Sequence, residues 1–274
     1  MDHQEVIIEP RKRPAAVLRE LWEYRDLFYF LAWRDILVRY KQTMIGIAWS
    51  VLRPLLTMIV LTIVFGKIAK LPSGSAPYPV LVFAAMLPWQ FFSNTLSESS
   101  NSLIANSQMI SKIYFPRLII PTTSMIVSLV DFLIAFGLLI VLMLWYGVIP
   151  SARILVLPAL LVLAMITSLG IGYLVSALNV KYRDFRYVIP FVVQFGLYIS
   201  PVGFSSNVVP EQWRLLYSVN PMVGVIDGFR WAILGGDAHI YWPGFLLSIG
   251  LGIVLFTIGL RFFVKTERSF ADVI

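Results

Sequence analysis

Few residues in this sequence have types and positions that could carry chemistry, and Asp131 is the first. It lies deep inside a charge-poor stretch, about ten residues past Pro121, or ~15 Å of helix rise. If that stretch lies in lipid, a carboxylate there is costly and could serve as a proton or ion site. Because we expect no second acid, Lys or Arg at its depth, we favour a structural role. The carboxylate would then be hydrogen-bonded to Ser124 or Ser128 one turn back, or to a neighbouring helix.

A second candidate group consists of four basic residues, Arg34, Arg39, Lys41 and Arg53. They are expected near one membrane face, where together they are well placed to receive the phosphates of a lipid headgroup through charge-assisted hydrogen bonds. Taken singly, each is better explained by topology and general attraction to anionic lipid. Arg53, about two turns into an apolar stretch, could also snorkel to the interface.

Motifs that would indicate an enzyme are absent. The sequence contains no G-x-x-x-x-G-K-[ST] phosphate loop, no H-E-x-x-H and no G-x-S-x-G. It contains no Cys, which excludes disulfides and thiolate sites, and its two His argue against a histidine-based centre. We therefore predict no catalytic residue, no metal site and no cofactor bound by this chain.

The composition indicates a membrane protein. Of the 274 residues, 58% are hydrophobic and 14% are charged, and the mean hydropathy is +0.80. An ordinary soluble domain carries about a quarter charged residues, so most soluble enzyme folds are excluded. The net charge of +7 then reports topology and contact with membrane lipids. We predict no nucleic-acid partner.

Six charge-poor stretches are long enough to cross a bilayer, which takes about 20 residues. They are residues 46–66, 78–96, 121–147, 154–178, 187–204 and 243–264. Seventeen of the 22 Lys and Arg residues fall on the N-terminal side of these spans. The positive-inside rule therefore places both termini in the cytoplasm.

The predicted fold is thus all-α and polytopic, with six transmembrane helices. Residues 1–45 form a cytoplasmic tail and an interfacial amphipathic helix, 46–264 the transmembrane domain, and 265–274 a cytoplasmic tail. The first twenty residues have no apolar core, so we expect no cleavable signal peptide.

Four segments beside the spans are more than connectors. Residues 20–41 mix aromatic and charged side chains and predict a helix along the interface. Residues 98–117 predict a polar cytoplasmic helix that stops at Pro116, and 179–186 a short charged turn. Residues 209–236 predict two short outer helices, 210–219 and 221–234, each initiated by Pro.

Several strings along the chain carry a resemblance. They are Trp33-Arg34-Asp35, Arg39-Tyr40-Lys41-Gln42-Thr43, Gly46, Ala48-Trp49, Arg53-Pro54, Tyr114-Phe115-Pro116-Arg117, Pro121, the run from Asn179 to Asp184, Ser200-Pro201-Val202, Asn220-Pro221-Met222, Gly228-Phe229-Arg230 and the tail from Glu267 to Ile274. Together they resemble permease subunits of polysaccharide-exporting ABC transporters, which handle O-antigen, capsular or teichoic-acid-like polymers. One departure is Leu118, where relatives often have Glu.

The resemblance implies a channel-forming subunit of the bacterial inner membrane. A second copy of the chain would complete a homodimer, and two separate ABC ATPase subunits would bind ATP and Mg²⁺. The cargo would be a glycan on a polyprenyl diphosphate lipid, whose headgroup the four basic residues would receive.

The resemblance also implies roles for four groups of residues. The ATPase-coupling loop would comprise Ser107, Met109, Ile110, Lys112, Ile113, Tyr114 and Phe115. A second cytoplasmic contact would comprise Lys181, Arg183 and Asp184. The periplasmic gate would comprise Trp213, Asn220, Pro221, Met222 and Phe229. Aromatic side chains that could line the path are Trp89, Phe91, Phe92, Phe195 and Tyr198, although belt or packing roles suit each one taken singly.

Three alternatives stay open at the level of sequence. The chain could be an ABC permease for a small drug or lipid, a secondary transporter that uses Asp131, or a membrane-embedded transferase.

Overall fold

The computed structural model describes Arg19, residues 21–41, 46–236 and 238–267, and Phe270. Within these residues the chain is all-α, and its α-helices are α1 Arg25–Lys41, α2 Gly46–Leu61, α3 Tyr78–Ala105, α4 Ser107–Lys112, α5 Ile119–Trp145, α6 Leu157–Lys181, α7 Phe185–Ile199, α8 Glu211–Tyr217, α9 Pro221–Leu234 and α10 Trp242–Thr266. A π-helical segment, Thr62–Ile68, continues α2, and a 3₁₀ turn, Ala152–Val156, precedes α6. The predicted tails lie largely outside the described residues.

Five helical segments of the described chain are long and apolar enough to cross a membrane. They are Ala48–Ile68, Tyr78–Ala105, Ile119–Trp145, Ala152–Lys181 and Trp242–Thr266. Each overlaps a predicted span, so these five predictions are confirmed as apolar helices of spanning length. The remaining predicted span, 187–204, coincides with α7, which is apolar but has only 15 residues.

One boundary was wrong. The second span was expected to end at residue 96, with 98–117 as a separate helix, but α3 continues to Ala105. The polar side chains of its last turns form hydrogen bonds to main-chain carbonyls of the same helix. Ser100 and Asn101 donate to the carbonyl of Ser97, and Ser102 donates to that of Ser99. A polar stretch can therefore prolong an apolar helix beyond the bilayer.

Helix α3 is the centre of the bundle. Most of its side chains are buried, and α5, α6, α7 and α9 all pack against it. The other candidate spans each leave a broad apolar face exposed, most of all α2 and α10. Such faces are compatible with lipid or with another protein surface.

A second apolar cluster gathers residues of several helices at one end of the bundle, which we call the α4 end. It contains Leu31 of α1, Ile110 of α4, Val180 of α6 and Phe263 of α10, together with the start of α5. The Arg117 guanidinium donates to the Glu267 carbonyl and ties α5 to the end of α10. The first and last described helices therefore meet at the same end.

Helices α6 and α10 run parallel and approach closely at two glycines. A Cβ on Gly259 would overlap the carbonyl oxygen of Gly170, and a Cβ on Gly170 would overlap the main chain of Phe256. Small residues allow this approach between helices in a membrane.

This contact yields a stability prediction. Gly259→Ala is expected to lower the thermal unfolding midpoint of the detergent-solubilised protein, because overpacking costs about 1–3 kcal/mol. Gly250→Ala is the matched control, since it lies in the same helix and a Cβ there meets nothing within 4 Å. Alanine favours a helix over glycine, so the control should be neutral or slightly stabilising. Equal midpoints for both variants would contradict the packing argument.

The two short helices predicted for 210–219 and 221–234 are present as α8 and α9, but their surroundings differ. Helix α8 has no buried residue. Helix α9 is largely buried among α3, α6 and α10. It therefore lies inside the bundle rather than over it.

Candidate functional site

A cavity of about 500 Å³ lies in the middle of the bundle between α1, α2, α3, α5 and α7. Its polar lining includes Arg39, Arg53, Gln90 and Asp131, and Trp89 contributes to the apolar lining. Some members of the predicted basic cluster and of the predicted path aromatics thus meet Asp131 at one place. We call it the central cavity.

Asp131 is held from two neighbouring helices. The hydroxyls of Tyr40 on α1 and Ser50 on α2 donate to its Oδ1 at 2.5 and 3.0 Å. Its Oδ2 lies 2.7 Å from Arg39 Nη2. The carboxylate is therefore compensated by one cation and two hydroxyl donors, as buried charges require.

Of the two kinds of partner expected for Asp131, the structure has those on neighbouring helices, and one further expectation was wrong. Ser124 and Ser128 do not donate to it, because they donate to main-chain carbonyls one turn back in α5. A basic residue does lie at its depth, because the C-terminal end of α1 packs on α5 and carries Arg39 into the bundle. The favoured structural role, with partners on neighbouring helices, agrees with the observed contacts.

Arg39 is shared between two carboxylates. Its Nη1 lies 3.2 Å from Glu98 Oε1 of α3, while Nη2 pairs with Asp131. The side chain of Asp131 is 12% exposed and that of Glu98 is 54% exposed, so solvent screens the second pair much more than the first. Burial and the bond to Asp131 raise the pKa of Tyr40 to about 12.

Arg53 is the other cation of the central cavity. Within the described residues its side chain makes no hydrogen bond or ion pair, although Thr57 donates to its main-chain carbonyl at 2.9 Å. The remaining two predicted headgroup residues lie elsewhere. Arg34 pairs with Asp35 at 2.7 Å and donates to Asn106 at the start of α4, and Lys41 is exposed and outside the lining.

The predicted path aromatics divide into two groups. Trp89 and Phe91 line the central cavity, and Phe92 is buried beside Trp89, with ring centroids 5.5 Å apart. Phe195 and Tyr198 are exposed on α7.

Two further aromatic side chains of α7, Tyr187 and Phe191, are exposed on the same side as Phe195 and Tyr198. We call these four the α7 stripe. Its spacing of four, four and three residues is that of one helix face, a signal in the sequence that we missed. The Phe191 and Phe195 rings lie 4.2 Å apart.

The predicted coupling loop separates into an anchored side and an exposed side. Ile110 and Phe115 are buried in the apolar cluster at the α4 end. Ile113 and Tyr114 are 60% and 61% exposed, and Lys112 is also exposed. Ser107 and Met109 are half-buried. Only the exposed side can contact another protein without unfolding this chain.

The predicted second contact lies at the same end. Lys181, Arg183 and Asp184 are all exposed. Asn179 donates to the Ser100 carbonyl at 2.7 Å and joins the end of α6 to the end of α3. The structure therefore brings both predicted cytoplasmic contacts onto the α4 end.

The predicted gate residues lie toward the opposite end. Asn220 caps α9, since its Oδ1 accepts from the Met222 N–H at 3.0 Å, and Pro221 occupies the first turn. Met222 and Phe229 are buried in the core, whereas Trp213 on α8 is exposed.

Arg230 is the main polar anchor of this end. Its side chain is 4% exposed and donates to the carbonyls of Leu81, Val202 and Phe204 at 3.2, 2.9 and 2.6 Å. It thereby fixes α9 to α3 and to the segment after α7. A second, smaller cavity of about 270 Å³ lies beside it.

Comparisons with known proteins give a family match and several relatives. The family model described as ABC-2 type transporter matches residues 26–234. The chain is 28% identical over 250 residues to the O-antigen export system permease protein RfbA of Klebsiella pneumoniae, covering 91% of this chain and 95% of that protein. It is 25% identical to the Myxococcus xanthus protein of that name, covering 78% and 82%. It is 27% identical to the polysialic acid transport protein KpsM of Escherichia coli, covering 74% and 79%.

Proposed function

The chain belongs to the ABC-2 type transporter family, and on that premise we propose that it is the channel-forming permease of a polysaccharide exporter. The relatives above are named for the export of O-antigen and the transport of polysialic acid. The cargo would be a glycan on a polyprenyl diphosphate lipid, moved across the bacterial inner membrane. Partner ATPase subunits would bind ATP and Mg²⁺ and supply the energy.

The central cavity is the observation that carries this proposal. Arg53, without an ion pair in the described part of the chain, lines it together with Arg39 and the aromatic ring of Trp89. A phosphorylated headgroup needs cations, and a prenyl chain needs apolar walls, so this lining suits an amphiphile with an anionic head. The cavity would receive the headgroup at the membrane level.

The exposed surfaces support a dimer with separate ATPases. The α7 stripe and the apolar face of α2, which includes Trp49 and Leu56, are exposed. In the proposal, a second copy covers part of these faces, and the two copies enclose the path for the glycan. Ile113 and Tyr114 at the α4 end would seat in the ATPase, with Lys181, Arg183 and Asp184 as the second contact.

We further propose six crossings, with both termini in the cytoplasm. The parallel helices α6 and α10 both run toward the α4 end, so the chain between them must return to the opposite end. Only three residues separate α6 from α7, and Gly203 accepts a hydrogen bond at 2.7 Å from Tyr78 at the start of α3. Fifteen residues rise about 22 Å, and residues 200–203 would complete the crossing. The positive-inside rule would then put the α4 end in the cytoplasm.

Depletion of the chain in its native cell tests the proposal. We expect lipid-linked polysaccharide to accumulate on the cytoplasmic side while surface polysaccharide declines, because synthesis continues without export. Extraction and sizing of the lipid-linked glycan, with surface labelling in parallel, measures both. An ABC ATPase should co-purify with the chain.

The alternatives predict different results. A permease for a small drug or lipid would leave the lipid-linked glycan unchanged after depletion. A secondary transporter would move its substrate on a pH gradient alone and lose that activity in Asp131→Asn. A transferase would turn over substrate as the isolated chain.

A further inference from the structure

Among the described residues, two cations and one acid line the central cavity, namely Arg39, Arg53 and Asp131. Arg39 faces the two carboxylates Asp131 and Glu98, whereas Arg53 has no ion-pair partner within the described residues. Asp131 lines the cavity, whereas Glu98 lies outside its lining, and both carboxylates face Arg39 at a site that would have to bind a diphosphate. A headgroup that uses both cations must displace a carboxylate from Arg39.

The two carboxylates differ in how easily they can be displaced. Glu98 is half-exposed and 3.2 Å from Arg39, so solvent screens that pair. Asp131 is only 12% exposed, lies 2.7 Å from Arg39, and is fixed by hydrogen bonds from Tyr40 and Ser50. Its hydroxyl donors hold the carboxylate in place whether or not Arg39 stays with it.

From this geometry we infer that Asp131 competes with a phosphate of the headgroup for Arg39 and thereby keeps a diphosphate headgroup releasable. The inference rests on the proposed function and adds a residue that limits affinity at the same site. A transported ligand must bind strongly enough to enter and weakly enough to leave. Full use of both Arg39 and Arg53 would bind a diphosphate too strongly for turnover.

The inference predicts that substitutions of Asp131 and Arg39 change the affinity for a diphosphate in opposite directions. Asp131→Asn keeps an oxygen that can accept from Tyr40 and Ser50 but removes the charge that holds Arg39. It is expected to tighten the binding of farnesyl diphosphate about tenfold, whereas Arg39→Gln weakens it about tenfold. The double variant should match Arg39→Gln alone, because Asp131 acts only through Arg39.

Calorimetric titration of the purified full chain in a neutral detergent measures these affinities. The probes are farnesyl diphosphate, farnesyl monophosphate and uncharged farnesol. The gain in Asp131→Asn should be larger for the diphosphate than for the monophosphate, which Arg53 alone can hold, and absent for farnesol. Glu98→Gln is a second variant that does not disturb a buried group, and it should tighten diphosphate binding by a smaller factor.

Export should fall although binding improves. In cells, Asp131→Asn is expected to reduce surface polysaccharide, because the headgroup leaves the cavity more slowly.

The outcomes separate the inference from the proposed function. If Arg53→Gln leaves diphosphate binding unchanged, the cavity is not the headgroup site and the proposed headgroup role fails. If Arg53→Gln weakens binding but neither Asp131→Asn nor Glu98→Gln tightens it, the competitor alone is refuted. Weaker binding in Asp131→Asn would mean that Asp131 orients Arg39 for the ligand, which also overturns the inference.

Discussion

Tyr114→Asp and Ile113→Asp are each expected to abolish polysaccharide export while the chain still folds and inserts. Both side chains are more than half exposed at the α4 end, so a charge there costs this chain little by itself. At a protein interface, loss of a well-packed anchor costs about 2 kcal/mol or more, or roughly 30-fold in affinity. Surface polysaccharide and co-purification of the ATPase measure the two effects.

Two comparisons make this result interpretable. Ile149→Asp is the matched control, because Ile149 is 88% exposed just beyond the other end of α5. It should leave ATPase binding intact. Ile110→Asp should instead lower the yield of folded protein, because Ile110 is buried in the cluster at the α4 end. Normal export in both Tyr114→Asp and Ile113→Asp would refute the coupling assignment.

Arg53→Gln is expected to remove most of the response to a diphosphate lipid. Hydrogen bonds to charged groups contribute about 1.5–3 kcal/mol, so the concentration of farnesyl diphosphate that half-maximally stimulates the ATPase of the reconstituted complex should rise roughly tenfold or more. The ATPase rate without lipid should stay near that of the unaltered complex, since Arg53 holds no other helix by an ion pair in the described part of the chain.

Arg261→Gln is the control for this variant. Arg261 is an exposed cation on α10 and does not line the central cavity. It should leave the lipid response unchanged, because general attraction between the membrane and the protein surface is only slightly reduced. Equal responses in Arg53→Gln and Arg261→Gln would remove Arg53 from the headgroup site.

The hydropathy pattern and the positions of proline predicted the helices well for a simple physical reason. In lipid every main-chain polar group must be satisfied within the segment, so an apolar run of sufficient length forms a helix whatever its neighbours are. Pro221 likewise marks the start of α9. The boundary at Ala105 was missed because the serine and asparagine side chains in the last turns of α3 donate hydrogen bonds to main-chain carbonyls of the same helix.

The assembly of the site was only partly predictable. The residue types of Arg39, Arg53 and Trp89 predict phosphate-binding cations and an aromatic wall, and the structure places all three on one cavity. Arg34 and Lys41 fit the same logic, yet neither lines it. Sequence spacing along α1 cannot distinguish Arg34 from Arg39, because helix rotation against α5 decides which of them points into the bundle.

The amino-acid sequence alone therefore determined the helices and indicated the kind of ligand. The apolar composition requires a lipid environment, apolar runs of spanning length form helices there, and Arg and aromatic side chains suit the binding of an amphiphilic anion. Tertiary structure alone decided that Arg39 meets Asp131, 92 positions away, and that α9 is buried inside the bundle. The physical reason is that an ion pair depends on a distance of a few ångströms between side chains. That distance is set by how α1, α3 and α5 pack together, which no one of these helices specifies alone.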